Sequence, residues 1–438
     1  MKNYDICIIG AGPGGTAAAF EASALGATVA LIEKDEIGGV CLNRGCIPTK
    51  ARLKSAFLYD EFKRSAEFGI TSKNFDFDLS SIRHRSADIV TRLKEQLDQS
   101  LKARKVDMIK GEAVFEDKGT VTAGGGKISA RAFIIAAGSS PRALGQVKSD
   151  KKRIFYSEEI LGLDKMPADI TIIGGGAIGC EFASFFSALG SKVTLIEMME
   201  RILPREDKDL SNRLEGIFKR KGIEVITGAF SPDVRKISSE VILISVGRSP
   251  NTGGMGLEKA GVSVKDGRVI VDGYLKTSAA NIFAVGDCIG KYNLAHAASA
   301  EGKAAARNSL GKETAMGYGI MPVCVYSFPE AASVGLNADE AGNKGYEAVT
   351  GRAFFAGSGR ALAQRETEGF VKLTADKKTG KILGAQILGY NASELIGIIS
   401  VAIKGGLALR DLADVVQPHP AFSEAVQEAA SIMSRNVK

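Results

Sequence analysis

"IIGAGPGGTAAAFEASALGATVALIE", residues 8–33, and "IIGGGAIGCEFASFFSALGSKVTLIE", residues 172–197, are two versions of one unit. The offset between them is constant at 164 residues, and even "SALG" recurs in register. Each runs from an apolar strand through a glycine turn into a small-residue helix, then into a second strand that ends in glutamate. In such a unit Gly10 and Gly174 permit the tight turn, Gly12 and Gly176 let a pyrophosphate approach the backbone, and Gly15 and Gly179 let the helix pack on the strand. The phosphates then meet the N-terminus of a helix, where unpaired N–H groups and the helix dipole favour an anion. Glu33 and Glu197 lie 23 residues after the first glycine of their motifs, placed to hold a ribose 2′-hydroxyl. A single glycine motif is weak evidence, but here strand, helix and acidic terminus all occur twice. The repeat therefore predicts two bound dinucleotides. A carboxylate at position 197 repels a 2′-phosphate and favours NAD over NADP, although Arg201 and Arg205 lie nearby.

Outward from the repeat, a chain of 438 residues is expected to hold roughly three domains. Its 45% hydrophobic and 24% charged residues are ordinary for a globular protein, and its 51 glycines are nearly twice the usual share of about 7%. The net charge of +7 is modest and the lysines are scattered. With no basic stripe interleaved with aromatics, nucleic-acid binding is not expected. The opening "MKNYDICIIGAG" runs straight into a strand without a charged-then-apolar leader. The apolar runs are too short to span a bilayer. A cytoplasmic location is expected, and there a persistent disulfide is usually catalytic or redox-sensing.

Residues 51–107 read as largely helical, with Val90, Leu93, Leu97 and Leu101 on one face and His84 on the solvated surface. "ARAFIIAAGSSPR" (130–142) is a buried strand entering a turn at Gly138. "SSEVILISVGRSPN" (238–251), with Gly247, is its counterpart after the second unit. Both glycines are counted as cofactor-facing. "TSAANIFAVGDC" (277–288) is a further strand ending in Gly286-Asp287. An acid there either bonds a sugar or polyol hydroxyl or caps a helix. From about residue 317 the texture becomes mixed α+β, with two strands and a charged turn in 368–389 and a helix in 392–406.

The chain has six cysteines, and only Cys41 and Cys46, in "GGVCLNRGCIPTK" (38–50), are close in sequence. Cys7, Cys180, Cys288 and Cys324 sit in apolar runs and read as small core residues. Zinc ligands favour shorter spacings and need a second pair or histidines, so no metal is expected. Two unrelated core thiols remain open, but a redox pair fits better. Gly39 and Gly45 loosen the backbone, and Pro48 suits the first turn of a helix. A thiolate at a helix N-terminus near Lys50 would be stabilised.

The cysteine stretch, the two units, "FAVGD" and the closing "HPAFSE" together resemble the FAD-dependent pyridine nucleotide-disulfide oxidoreductases, over nearly the whole chain. The interior "CLNRGCIP" resembles the members that oxidise dihydrolipoamide. The resemblance implies an α/β fold with two Rossmann-like domains, one for FAD and one for NAD, and a C-terminal α+β dimerisation domain. It implies boundaries of 1–142 with 265–316 for FAD, 143–264 for NAD and 317–438 for dimerisation. Glu33 would hold the adenosine ribose of FAD and Asp287 its ribityl chain. Lys50, paired with Glu181, would lie near the isoalloxazine. Gly174, Gly176, Gly179 and Glu197 would bind NAD. Cys46 would face the flavin and Cys41 would exchange with substrate. His419 would be the base, oriented by Glu424, and would act across a homodimer. From the residues alone, a histidine between prolines reads as structural. The implied substrate is dihydrolipoamide or a lipoyl-bearing domain, with a possible place in a 2-oxo-acid dehydrogenase or glycine cleavage complex. An NADH diaphorase or oxidase, and a mainly docking subunit, are the alternatives.

Three features depart from that pattern. Gln417 stands where a second histidine is common, and Ala421 where threonine is usual. Between "IEVITGAF" (223–230) and "SSEVILISVGR" (238–248) there is no room for the antiparallel meander expected in the NAD domain. One layer over that sheet is therefore expected to be missing.

Overall fold

A computed structural model describes residues 2–71, 73–229, 233–435 and 437. The first repeat folds as β1 (Lys2–Ile9), α1 (Pro13–Ala24) and β2 (Val29–Glu33). The last four residues of β1 and the first four of β2 are buried, as strands covered on both faces must be. Two helices follow, α2 (Gly39–Arg44) and α3 (Cys46–Lys63), and then the long α4 (Leu79–Ala103). Asp78 caps α4 by accepting from the N–H groups of Ser80 and Ser81.

Four strands complete most of the first sheet: β3 (Asp107–Lys110), β4 (Val114–Asp117), β5 (Thr120–Ala123) and β6 (Gly126–Ile135). Their order is β3-β2-β1-β6-β5-β4. Cys7 lies in register with Ala30 on one side and Phe133 on the other, both pairings parallel.

The second unit is smaller. Its strands are β8 (Ile154–Tyr156), β9 (Asp169–Ile173), β10 (Lys192–Ile196), β11 (Glu224–Ile226) and β12 (Val241–Ile244), after a short β7 (Ser139–Pro141). The sheet order is β11-β10-β9-β12-β8, every pairing parallel. Helix α5 (Ala177–Ala188) follows its glycine turn, and α6 (Lys208–Arg220) follows β10. No antiparallel strand joins this sheet among the described residues. Residues 230–232, within the shortened link, lie outside them. The described part of the link explains how the sheet stays covered. Val234 and Ile237 pack with Ile173 and Ile242, joined by Leu144, Val147 and Ile154. A single 3-10 turn and the linker ahead of β8 close a face that a meander would otherwise shield.

Strand β13 (Arg248–Pro250) pairs antiparallel with β7, tying the two units together. A small hairpin, β14 (Val264–Lys265) with β15 (Arg268–Val269), precedes β16 (Ile282–Ala284), which returns to the first sheet beside β6. Helix α7 (Ala295–Ser309) then packs on α1. The third sheet is antiparallel: β17 (Val323–Val325), β18 (Glu330–Gly335), β19 (Ala348–Phe354), β20 (Phe370–Asp376) and β21 (Ile382–Gly389), in the order β17-β18-β21-β20-β19. Every residue of β20 and β21 is buried. Short α8 (Ala338–Asn343) lies beside β19, and α9 (Gly359–Gln364) packs on the 3-10 turn that follows that strand. Helices α10 (Ala392–Gly405), α11 (Leu409–Asp414) and α12 (Glu424–Ser434) complete this part. No described helix is long and apolar enough to cross a membrane.

Candidate active site

Ligands of open parallel sheets bind beyond the carboxyl ends of the strands. Strands β1, β6 and β16 end at Ile9, Ile135 and Ala284, and Gly10, Gly138 and Asp287 follow within three residues. In the second sheet β9 and β12 end at Ile173 and Ile244, followed by Gly174 and Gly247. Each set of residues expected to hold a cofactor is thus gathered beyond the carboxyl ends of one sheet's strands.

The glycines divide by physical role. A Cβ on Gly15 would lie 1.8 Å from the Gly10 carbonyl oxygen, and one on Gly179 would lie 1.9 Å from that of Gly174. Those two positions are closed to any side chain by the protein itself. Gly12 and Gly176 differ: their φ angles of −73° and −74° are open to any residue. A Cβ on Gly176 would meet nothing within 4 Å, and one on Gly12 only the Gly39 Cα at 4.0 Å. Protein packing does not require glycine there, and no side chain caps the first turn of α1 or α5. Bare donors beside space without a side chain are what a pyrophosphate needs, so FAD and NAD fit these two loops.

Glu33 Oε2 accepts from the Ala11 N–H at 2.7 Å and its Oε1 from the Asp35 N–H at 2.8 Å. Glu197 repeats this with Gly175 at 2.7 Å and Met199 at 2.9 Å. Both carboxylates therefore brace their own glycine loops. A carboxylate has about four acceptor positions, which leaves room for a ribose hydroxyl. Asp287 does not cap the short 3-10 turn in which it lies. Its Oδ2 instead accepts from the Ser139 hydroxyl, and Arg248 Nε donates to Ser139 Oγ at 2.7 Å.

Cys41 lies in α2 and Cys46 opens α3, and the two form a disulfide with their Cα atoms 4.7 Å apart. This redox turn sits directly on the first glycine loop. Gly38 N–H donates to the Ala11 carbonyl at 2.8 Å, and a Cβ on Gly39 would come within 2.8 Å of the Gly12 Cα. One turn along α3, Lys50 Nζ contacts both oxygens of Glu181 at 2.9 and 2.8 Å. Glu181 is almost fully buried, with 6% of its side chain exposed. The Tyr326 N–H donates to it at 3.1 Å, and the Tyr326 ring lies 4.5 Å from Lys50 Nζ.

Burial pushes the Cys7 and Cys288 thiols up to about 12 and raises that of Cys180 as well. Cys324 is also pushed up to about 12, first by burial and then by nearby Glu330 and Glu206. None of these four is a ready thiolate at neutral pH.

His419 stands apart from this cluster, at the edge of the third sheet's helices. Its Nδ1 lies 2.8 Å from Glu424 Oε1, and Glu424 Oε2 accepts from the Ala421 N–H at 2.8 Å. These contacts, the Ala421 N–H first, hold the Glu424 carboxyl below its ordinary range. The imidazole is 81% exposed, and no hydrogen bond joins it to the cysteine pair of its own chain among the described residues. Sequence reading missed Ser139, Arg248 and Tyr326, which act through partners more than a hundred residues away. Only the "SSP" and "RSP" stretches, alike and each just past a cofactor-facing glycine, hinted at the first two.

The family pattern described as pyridine nucleotide-disulphide oxidoreductase matches residues 4–302, and that of its dimerisation domain matches residues 321–430. The chain is 38% identical to the dihydrolipoyl dehydrogenase of Chlorobaculum tepidum, over 98% of this chain and 96% of that one. It is also 38% identical to the dihydrolipoyl dehydrogenase of Geobacillus stearothermophilus, over 97% and 95%. Among solved structures, LpdA from Mycobacterium tuberculosis superposes with a TM-score of 0.92 at 27% identity, covering 99% of this chain and 100% of that one. The HOCl-induced flavoprotein disulfide reductase RclA from Escherichia coli, as its Cu(II) complex, gives 0.87 at 28% identity, with the same coverage.

Proposed function

The chain belongs to the pyridine nucleotide-disulphide oxidoreductase family, and we propose from that premise the way its residues divide the work. It is an FAD-dependent enzyme that oxidises dihydrolipoamide to lipoamide and reduces NAD⁺. The observation that carries this reading is the Cys41–Cys46 disulfide seated on the first glycine loop. We assign residues 1–142 with 265–316 to FAD, 143–264 to NAD and 317–438 to dimerisation. Gly10, Gly12, Gly15, Glu33, Gly138 and Asp287 take the first dinucleotide. Gly174, Gly176, Gly179, Glu197 and Gly247 take the second.

Chemistry at the disulfide follows from thiolate attack. One thiolate of dihydrolipoamide attacks Cys41 Sγ, forming a mixed disulfide and releasing Cys46 as thiolate. His419 takes the proton of the second substrate thiol, with Glu424 fixing the ring through Nδ1. That second sulfur closes the lipoamide ring and releases Cys41, so the electron pair now resides in the Cys41–Cys46 dithiol. The N-terminus of α3 and the Lys50 ammonium favour the Cys46 thiolate. Bound FAD supplies the two-electron relay from this dithiol to NAD⁺. The Lys50–Glu181 pair fixes the ammonium on α3, where it would lie near the isoalloxazine of bound FAD.

Residues 321–430 match a dimerisation domain. We take the working form to be a homodimer in which His419 of one protomer serves the cysteine pair of the other. The exposure of His419, and the lack of a bond to its own pair, support this arrangement. A lipoyl-bearing domain of a 2-oxo-acid dehydrogenase or glycine cleavage complex is the natural macromolecular substrate, and the cytoplasm the expected location.

The test is an anaerobic visible titration of the yellow protein with dihydrolipoamide and, separately, with NADH. A long-wavelength thiolate–flavin band with both reductants is expected. Flavin bleaching by NADH with no band and no thiol response would make the protein a diaphorase and overturn the substrate assignment.

A further inference from the structure

Between the two cysteines lies Arg44, whose guanidinium leaves the redox turn and reaches two carboxylates. One is Asp35, just after β2. The other is Glu158, after β8 in the second unit, whose Oε2 is 3.4 Å from Arg44 Nε. The opposite oxygen of Glu158 accepts from Arg248 Nη2 at 3.0 Å. Arg248 in turn holds Ser139 through Oγ and through the carbonyl, each at 2.7 Å. Ser139 donates to Asp287, and Arg248 Nε stands 3.8 Å from the same carboxylate. One continuous chain of charged contacts therefore runs from the backbone between the cysteines to the acid at the end of β16.

Glu158 is its hub. Only 16% of its side chain is exposed, and Arg248 is 13% exposed. A carboxylate that is mostly out of water and shared by two guanidinium groups is expensive to move, because withdrawing it strands both charges. It is also the one member of the chain contributed by the segment between β7 and β9. Asp35 can hold Arg44 to the first unit, but it does not reach Arg248.

We propose that Glu158 is a positioning residue for the disulfide half-reaction: it ties Arg44, and hence the Cys41–Cys46 turn, to the Arg248–Ser139–Asp287 group. This rests on the reading of the cysteine pair as the flavin's electron source. Small displacements between reacting groups are costly: about 1 Å costs on the order of 100-fold in rate. A turn held by Asp35 alone would lose part of that alignment, while NADH reaches the flavin without using the turn.

The experiment compares the holoenzyme with Glu158→Gln, Arg44→Ala and the double variant. Three readouts are followed: the stopped-flow rate of flavin response to dihydrolipoamide, the thiolate–flavin band, and NADH oxidation with an artificial quinone acceptor. Glu158→Gln is expected to slow the thiol response about 10-fold and weaken the band, with quinone-linked NADH oxidation within about twofold. The double variant should be no slower than Arg44→Ala alone, because the two act as one link. Equal losses in both reactions, or effects of the single variants that multiply, would overturn the proposal. So would an unchanged thiol response in Glu158→Gln beside a normal unsubstituted enzyme. If the unsubstituted enzyme itself shows no thiol response, the failure belongs to the substrate assignment and is read before any variant is made.

Discussion

In the first unit Glu33 receives the Ala11 N–H at 2.7 Å, and in the second Glu197 receives the Gly175 N–H at the same distance. The glycine pairs crowd alike, at 1.8 and 1.9 Å. Within two residues the likeness ends. Position 17 in α1 is alanine, whereas its counterpart 164 residues on is Glu181, the partner of Lys50. The next turn of α5 carries Ser184, which accepts the Phe328 N–H at 3.1 Å and so grips the third sheet's first loop. The sheets diverge as well. The first has antiparallel β4 and β5 beside its parallel core, while the second is parallel throughout among the described residues and covered by a 3-10 turn and the linker ahead of β8. The features kept alike are the glycine loop and the acid that braces it. The outward face of the helix is then free to acquire redox-site and interdomain contacts.

The largest break in this comparison comes from adding one methyl group at the matched glycines. Gly15→Ala and Gly179→Ala drive a Cβ into a backbone carbonyl that has nowhere to go. Each is expected to cost about 3 kcal/mol or more in its own unit. Gly15→Ala should yield protein without bound flavin and without any turnover, read from the visible spectrum. Gly179→Ala should remain yellow and respond to dihydrolipoamide while losing its response to NADH. If both variants lost flavin equally, the two loops would not be separate sites.

A second break concerns how the smaller unit is supported. Lys372 on β20 is 6% exposed and holds Asp207 and Asp209, at the start of α6, at 2.8 Å each. Lys372→Met leaves Asp207, itself 9% exposed, without its cation. The expected loss is about 3 kcal/mol by urea denaturation, typical of one partner removed from a buried pair. A loss under about 1 kcal/mol, the scale of a surface pair, would show that the second unit stands without the third sheet.

The smallest expected effect sharpens the same contrast through pH. Asp209 is held below the ordinary carboxylate range, first by the hydrogen bond from Lys372, with Arg352 and Lys208 adding their charges against partial burial. A depressed pKa means that the carboxylate contributes fully above the unfolded value and ceases to contribute as pH falls through the folded one. The stability gap between the unsubstituted protein and Lys372→Met should stay level from about pH 8 to pH 5 and narrow below about pH 4. Narrowing as pH rises instead would place the effect on a different group.

Most of this site was legible because its decisive residues are local. The glycines, Glu33 and Glu197 belong to one strand-turn-helix each, and the cysteines are five residues apart with their helix immediately after. His419 was singled out only through resemblance, since its surroundings are loop and, among the described residues, the side chain bonded to it is Glu424. Asp287 was ambiguous from sequence because both readings require an acid after a strand. Its side chain leaves the turn uncapped and accepts instead from Ser139, 148 residues away, which sets aside the capping reading alone. The contacts of Glu158 left no trace in the pattern, because two exposed-looking glutamates before a short turn resemble any solvated surface. The shortened link was visible as a deletion, whereas the Val234 and Ile237 cover was not, since it depends on which face of the sheet lay open.

The double engagement of Glu197 bears on how easily this lineage could change its coenzyme. A residue that only touched the ribose could be exchanged for a smaller or cationic one with the loop unharmed. Here the same carboxylate ties the N–H groups of Gly175 and Met199, so removing it would slacken the glycine loop together with the discrimination we propose for it. Acceptance of a phosphorylated ribose would need at least two coordinated changes, one to admit the phosphate and one to replace the brace. A single-substitution variant would be a poorer enzyme for both coenzymes, and coenzyme choice is thereby protected against drift.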